Sequence, residues 1–200
     1  MEKMMKQMVI CGPRKTKIIE VPVPEYKDNE ILVKVTLSGM CHSELYRWKT
    51  AQADNKMAEK KRLDEGLPIG HEWVGVVEEI GRNVTGFQVG DRVTGLGGGA
   101  YKEYIVVKPH RIAHVPDSIK DEDAISEALA CLLSAAMKLP IRTLGDPVAV
   151  VGCGYMGLGM ISLFKAMGYG KIIAIDKRPE ALENAKKFGA TETYLDTEVP

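Results

Sequence analysis

Three side chains that ligate divalent metals fall in two short segments. Cys41 lies in GMCHSEL (residues 39–45), and His71 and Glu72 sit side by side in GHEWVG (residues 70–75). Thiolate and imidazole are ligands that suit zinc, and a catalytic zinc keeps three protein ligands with one place left for water or substrate. Cys41 and His71 are far apart along the chain, so only a fold can bring them together. On spacing alone, a buried thiol and a hydrogen-bonded core histidine remain the ordinary reading.

A second segment points to phosphate chemistry. GCGYMG (residues 152–157) fits G-x-G-x-x-G, follows the apolar run VAVV and opens a helical pattern. In that setting Gly152 permits a tight turn, Gly154 lets a pyrophosphate approach the backbone, and Gly157 lets helix and strand pack closely. Free N–H groups at the helix start, among them those of Tyr155 and Met156, then face the phosphates. Asp176 ends the next apolar run, near the offset of about 20 residues expected for the acid that binds the ribose hydroxyls. A carboxylate there repels a 2′-phosphate, which favours NAD over NADP; Lys177 and Arg178 beside it pull the other way. Lys177 joins the expected cofactor contacts.

Two kinds of element must position these groups. Up to about residue 118 the chain reads as short strands: ILVKVTLSG (31–39), WVGVVEEIG (73–81), DRVTG (91–95), YKEYIVVK (101–108) and RIAHVP (111–116), separated by Gly, Pro and Asx turns. That pattern predicts a small barrel or sandwich. From 121 to 139 the apolar period becomes helical, with Asp117 and Ser118 able to cap the start and Pro140 to end it. The stretch from Pro147 onward reads strand, helix, strand, helix, strand, which implies a parallel sheet. The chain is therefore expected to be α/β with a β-rich N-terminal part, its domains 1–140 and 141–200.

Composition excludes several classes. The 27 Lys and Arg balance 27 Asp and Glu, so no net charge draws nucleic acid or an anionic membrane. No apolar run approaches the ~20 residues that span a bilayer. MEKMMKQMVI has neither the long apolar core nor the cleavage site of a secretory signal. Four cysteines with no C-x-x-C pair predict reduced thiols and a cytoplasmic protein.

GHEWVGVVEEIGRNV (70–84) resembles the zinc-containing alcohol dehydrogenase signature G-H-E-x-x-G-x5-G-x2-V at every fixed position. GMCHSE resembles the first-ligand segment of that family, and GDRV (90–93) and GCGYMG follow in order. On these residues the chain is similar to the medium-chain dehydrogenases/reductases of the zinc-dependent alcohol, polyol or sugar type. The resemblance implies a GroES-like β-barrel catalytic domain followed by a Rossmann domain. It makes Cys41 and His71 zinc ligands, and the adjacent Glu72 a catalytic glutamate that binds the zinc or exchanges with its water. SEALACLL (126–133) is similar to a segment with a metal-site glutamate in the sorbitol and threonine branches. Glu127 is thereby implied as the further ligand; Cys131, one helical turn on, is the alternative, otherwise expected to pack in the core. Ser43 is implied as the hydroxyl that relays the substrate's proton, and His42 as a contact to the cofactor pyrophosphate. Glu44 stands where relatives carry an aspartate behind the histidine ligand.

The four-cysteine lobe that binds a structural zinc in many relatives is missing near GLGGGAY, so one catalytic zinc is expected. The sequence stops after the third strand of the nucleotide fold, where a doubly wound domain needs six. It is expected to be a fragment of a longer enzyme or a truncated relative. The function implied is zinc-assisted hydride transfer between a secondary alcohol, polyol or sugar and NAD. The partner expected is thus a small-molecule alcohol, with a homo-oligomer in a full-length form. Two alternatives stand beside it: a zinc-free quinone or enone reductase of the same superfamily, and a truncated non-catalytic binding module.

Overall fold

Strand β1 (Met4–Gly12) turns back on β2 (Lys15–Pro22), and the pair alternates across its faces, with Met5, Gln7 and Val9 buried. This computed structural model describes residues 2–51, 66–139 and 146–199. The strand runs named from the sequence begin at Ile31 and do not include this hairpin. The hairpin forms because β1 is paired on both sides. Its second neighbour is β4 (Leu67–Pro68), so the first sheet runs β2-β1-β4.

The second sheet contains β3 (Ile31–Ser38), β5 (Glu72–Ile80), β6 (Arg92–Leu96), β7 (Tyr104–Val107) and β8 (Ile112–His114). Their order is β7-β3-β5-β6-β8, antiparallel throughout. Ile31, Val33, Trp73, Val77 and Val93 are at most 1% exposed and form its core; each contributes roughly 1.5–3 kcal/mol on burial. The two sheets are laced at one seam. Met8 N–H donates to the Tyr101 carbonyl (2.8 Å), and Lys6 N–H donates to Glu103 Oε2 (2.7 Å).

Helix α1 (His42–Thr50) follows β3 and is stopped by Ala51 in the left-handed conformation, φ 55°. Helix α2 (Glu127–Ala136) is shorter than the 121–139 pattern predicts. Residues 121–123 form a separate 3-10 turn held to the sheet. There Arg92 Nη2 lies 2.6 Å from Asp121 Oδ1, and Thr36 Oγ1 donates to Asp121 Oδ2 at 2.9 Å. Ala124 and Ile125 pack with Val74 and Val115, so tertiary packing takes these residues out of the helix. Asp117 and Ser118 therefore cap nothing at its start; Pro140 lies outside the described residues.

The rest is β9 (Pro147–Val151), α3 (Tyr155–Ala166), β10 (Lys171–Asp176), α4 (Pro179–Phe188) and β11 (Glu192–Leu195). The three strands are parallel in the order β11-β10-β9, the expected βαβαβ half of a dinucleotide fold. Val150, Ile161, Phe164, Ile172 and Leu182 fill its core, and Ala136 of α2 packs with them. The compact units divide between Glu127 and Ala128, whereas the period change placed the division at 140.

Candidate functional site

Strands β3 and β5 bring the first segments together. Ser38 pairs with Trp73 at the end of the ladder, and Gly39 N–H donates to the Glu72 carbonyl at 2.8 Å. Beyond that point the chain turns into α1 at Cys41. The result is one group: a ligand atom from each of Cys41, His71 and Glu72, all within 4.8 Å of one another and all half-buried. Bonds of about 2.0–2.3 Å would put tetrahedral ligands ~3.3–3.8 Å apart, so this donor set suits zinc with a small closure. Among the described residues it is the one such group. Glu127, at the first position of α2, is not in it, and Cys131 is exposed, not a core residue.

Behind the group lies a network from the same unit. Glu44 is 3% exposed. Its Oε1 is 3.1 Å from His71 Nδ1, and its Oε2 accepts from Tyr101 Oη–H (2.6 Å) and from Cys41 N–H (3.2 Å). A carboxylate can only accept here, so the proton of the His71 ring is assigned to Nδ1 and Nε2 keeps its lone pair. A carboxylate behind a ligating histidine fixes the tautomer and ring direction. Burial, then the Glu44 carboxylate, push the Tyr101 phenol well above its ordinary range, so it stays a donor. Gly70, with φ +96°, lies so close to Tyr101 that an added Cβ would stand 2.6 Å from the Tyr101 nitrogen. An added Cβ on Gly39 would stand 2.7 Å from Glu72 Oε2.

Ser43 and His42 are exposed on the first turn of α1. In the second unit the glycine turn spans β9 to α3. A Cβ on Gly157 would lie 1.9 Å from the Gly152 carbonyl, whereas one on Gly154 or Gly152 meets nothing within 4 Å. The first closeness lets α3 pack on the turn; the open space above Gly154 is what a pyrophosphate needs. Tyr155 and Met156 are exposed at the helix start. Asp176 ends β10 and is 8% exposed. It accepts from Cys153 N–H (2.7 Å), Arg178 N–H (2.9 Å) and Arg178 Nε–H (3.1 Å). The Arg178 side chain, then the Cys153 N–H, hold its carboxyl well below the usual range. Lys177 beside it is exposed.

Residues 27–117 match the alcohol dehydrogenase GroES-like domain. Sorbitol dehydrogenase of Bacillus subtilis (strain 168) is 31% identical over 94% of this chain and 60% of its own length. L-threonine 3-dehydrogenase of Chelativorans sp. (strain BNC1) is 28% identical over 94% and 62%. The crystal structure of 2R,3R-butanediol dehydrogenase from Bacillus subtilis is 25% identical, with TM-score 0.80 over 98% of this chain and 64% of that one. Over these shares the chain is similar to the medium-chain dehydrogenases/reductases. It spans about three fifths of the length of the curated relatives it matches.

In this chain the Cys41, His71 and Glu72 segments meet as a cluster. Tyr101 is the residue that sequence reasoning misses. Its hydroxyl reaches Glu44 and also the Gly39 carbonyl (2.9 Å). Nothing in YKEYIVVK separates that tyrosine from an ordinary half-buried strand aromatic. No helix among the described residues is long and apolar enough to cross a membrane.

Proposed function

We propose that this chain supplies the catalytic metal centre and the first half of the nicotinamide cofactor site of an oxidoreductase. Its substrate is a secondary alcohol, polyol or sugar, and its cofactor is NAD. One observation carries the reading: Cys41, His71 and Glu72 converge from distant segments, backed by the buried Glu44. Sorbitol, threonine at C3 and 2,3-butanediol, the compounds named for the relatives, all carry a secondary hydroxyl, which supports that substrate class.

In this proposal Cys41, His71 and Glu72 hold a single zinc, which leaves one position open for the substrate. Bound zinc supplies Lewis-acid polarisation of the alcohol oxygen, and bound NAD supplies the hydride acceptor. The chain's own residues do the rest. Ser43 Oγ, exposed just past Cys41, takes the substrate hydroxyl's proton and passes it to solvent. Glu44 keeps His71 Nδ1 occupied, so the ring presents Nε2. The N–H groups that follow Gly154, at Tyr155 and Met156, receive the pyrophosphate, helped by Lys177. Asp176 selects NAD over NADP. The thiolate of Cys41 needs a reducing compartment, so we place the protein in the cytoplasm, with a homo-oligomer in its full-length form.

The test is metal and cofactor binding by the 200-residue chain. Elemental analysis is expected to find about one zinc per chain, lost in Cys41→Ala and His71→Ala. Calorimetry is expected to detect NAD in all three proteins. Equal zinc in wild type and His71→Ala would overturn the metal centre. Zinc-free wild type that still binds NAD would favour a reductase without metal. Absence of both would favour an inert binding module.

A further inference from the structure

The Tyr101 hydroxyl has no part in the chemistry above, yet it meets every segment that bears a ligand. We propose that Tyr101 is a positioning residue. Its hydroxyl holds Glu44 in the rotamer that occupies His71 Nδ1, and so aims the other ring nitrogen at the metal group. This rests on the metal reading of Cys41, His71 and Glu72.

The backbone of Tyr101 is pinned first. Its N–H donates to the Ile69 carbonyl (3.1 Å) and its carbonyl accepts from Met8 N–H (2.8 Å). Gly70 packs against its nitrogen, so the His71 segment is registered on Tyr101. From that anchor the phenol reaches across to the Cys41 segment, at Gly39 O and Glu44 Oε2. One residue therefore spans the loop before His71 and the loop before Cys41. A phenol carries one proton and shares it between two acceptors; the 2.6 Å contact to the carboxylate is the shorter, as a charge-assisted bond should be. Leu45, Trp48 and Ile69 line a cavity of about 320 Å³ beside Glu44 and Tyr101. Those walls are mostly apolar. Without the hydroxyl, Oε2 keeps, among the described residues, the longer bond from Cys41 N–H (3.2 Å). The carboxylate can then swing, and the imidazole is no longer confined to one tautomer.

Tyr101→Phe removes the hydroxyl and leaves the ring and the backbone bonds. Three measurements follow on the full 200-residue chain. Zinc affinity, by chelator competition, is expected to fall about tenfold, the low end of the ~10–100-fold range for groups behind a ligand. In the metal-free protein, long-range 1H–15N spectra are expected to show His71 as a single Nδ1–H tautomer in wild type and a mixture in Tyr101→Phe. Glu44→Gln is expected to lower zinc affinity at least as much, and adding Tyr101→Phe to it is expected to cost nothing further, because the tyrosine acts through that carboxylate. A tyrosine that only braces the fold would give additive losses, a lower Tm and an unmoved tautomer; that pattern overturns the proposal. So does zinc affinity within about twofold of wild type. Wild type that takes up no zinc, while its His71 tautomer still responds to Tyr101→Phe, sinks the metal reading and leaves the positioning role standing.

Discussion

The metal group of the first unit and the glycine turn of the second are built in opposite ways. The first gathers side chains from distant places: Cys41 at the mouth of α1, His71 and Glu72 at the start of β5, and Glu44 and Tyr101 behind them. Its geometry depends on register between strands, and on a carboxylate that is almost wholly buried. The second is local. One short stretch of chain supplies a turn and the open N-terminus of α3, and a neighbouring strand end supplies Asp176. Its working groups are mainly backbone, so what matters is which positions lack a Cβ. A site made of side chains fails when a partner is removed. A site made of backbone fails when an atom is added.

The sharpest way to break that contrast is Gly157→Val. Its Cβ would overlap the Gly152 carbonyl, so α3 cannot close on the turn. NAD binding, by calorimetry, is expected to vanish while zinc content stays near one per chain. Zinc lost along with NAD would show that the two units do not stand independently.

Gly70→Ala comes next. It forces a side chain into φ +96° and against the Tyr101 backbone. The expected cost is about 2 kcal/mol or more, a fall in Tm of roughly 4–8 °C for a chain of this size, with weaker zinc binding. An unchanged Tm would mean that the His71 segment is not registered on Tyr101.

The smallest effect is a pH dependence in the second unit. Arg178 and Cys153 N–H hold the Asp176 carboxyl below its ordinary value near 3.9. The folded form therefore binds its proton more weakly than the unfolded form. The stabilisation is present above about pH 4 and is lost as pH falls through the lowered folded value. Asp176→Asn is expected to lower Tm at pH 7, and the gap to wild type should shrink below about pH 4. A gap that stays constant with pH would mean the carboxylate is not held by its charge.

The same contrast decides how much could be read from the sequence. GCGYMG was legible because its parts are contiguous and each glycine answers a separate steric demand. The parallel βαβαβ order was legible from the apolar runs around it. The metal group was legible only through its resemblance to a signature, since the spacing of Cys41 and His71 says nothing about distance in space. Tyr101 was not legible, because its role comes from the seam where β1 meets residues 101–103. The start of α2 was misread for a related reason. Asp121, Ala124 and Ile125 fit a helical period, but the sheet holds them through Arg92, Thr36 and Val74.

That seam gives the first strand an unexpected weight. Met8 supplies none of the candidate ligand groups. Yet its amide clasps the carbonyl of the residue that steadies the histidine's carboxylate. Trimming the chain into β1 would therefore reach the Cys41, His71 and Glu72 group, through three successive hydrogen bonds.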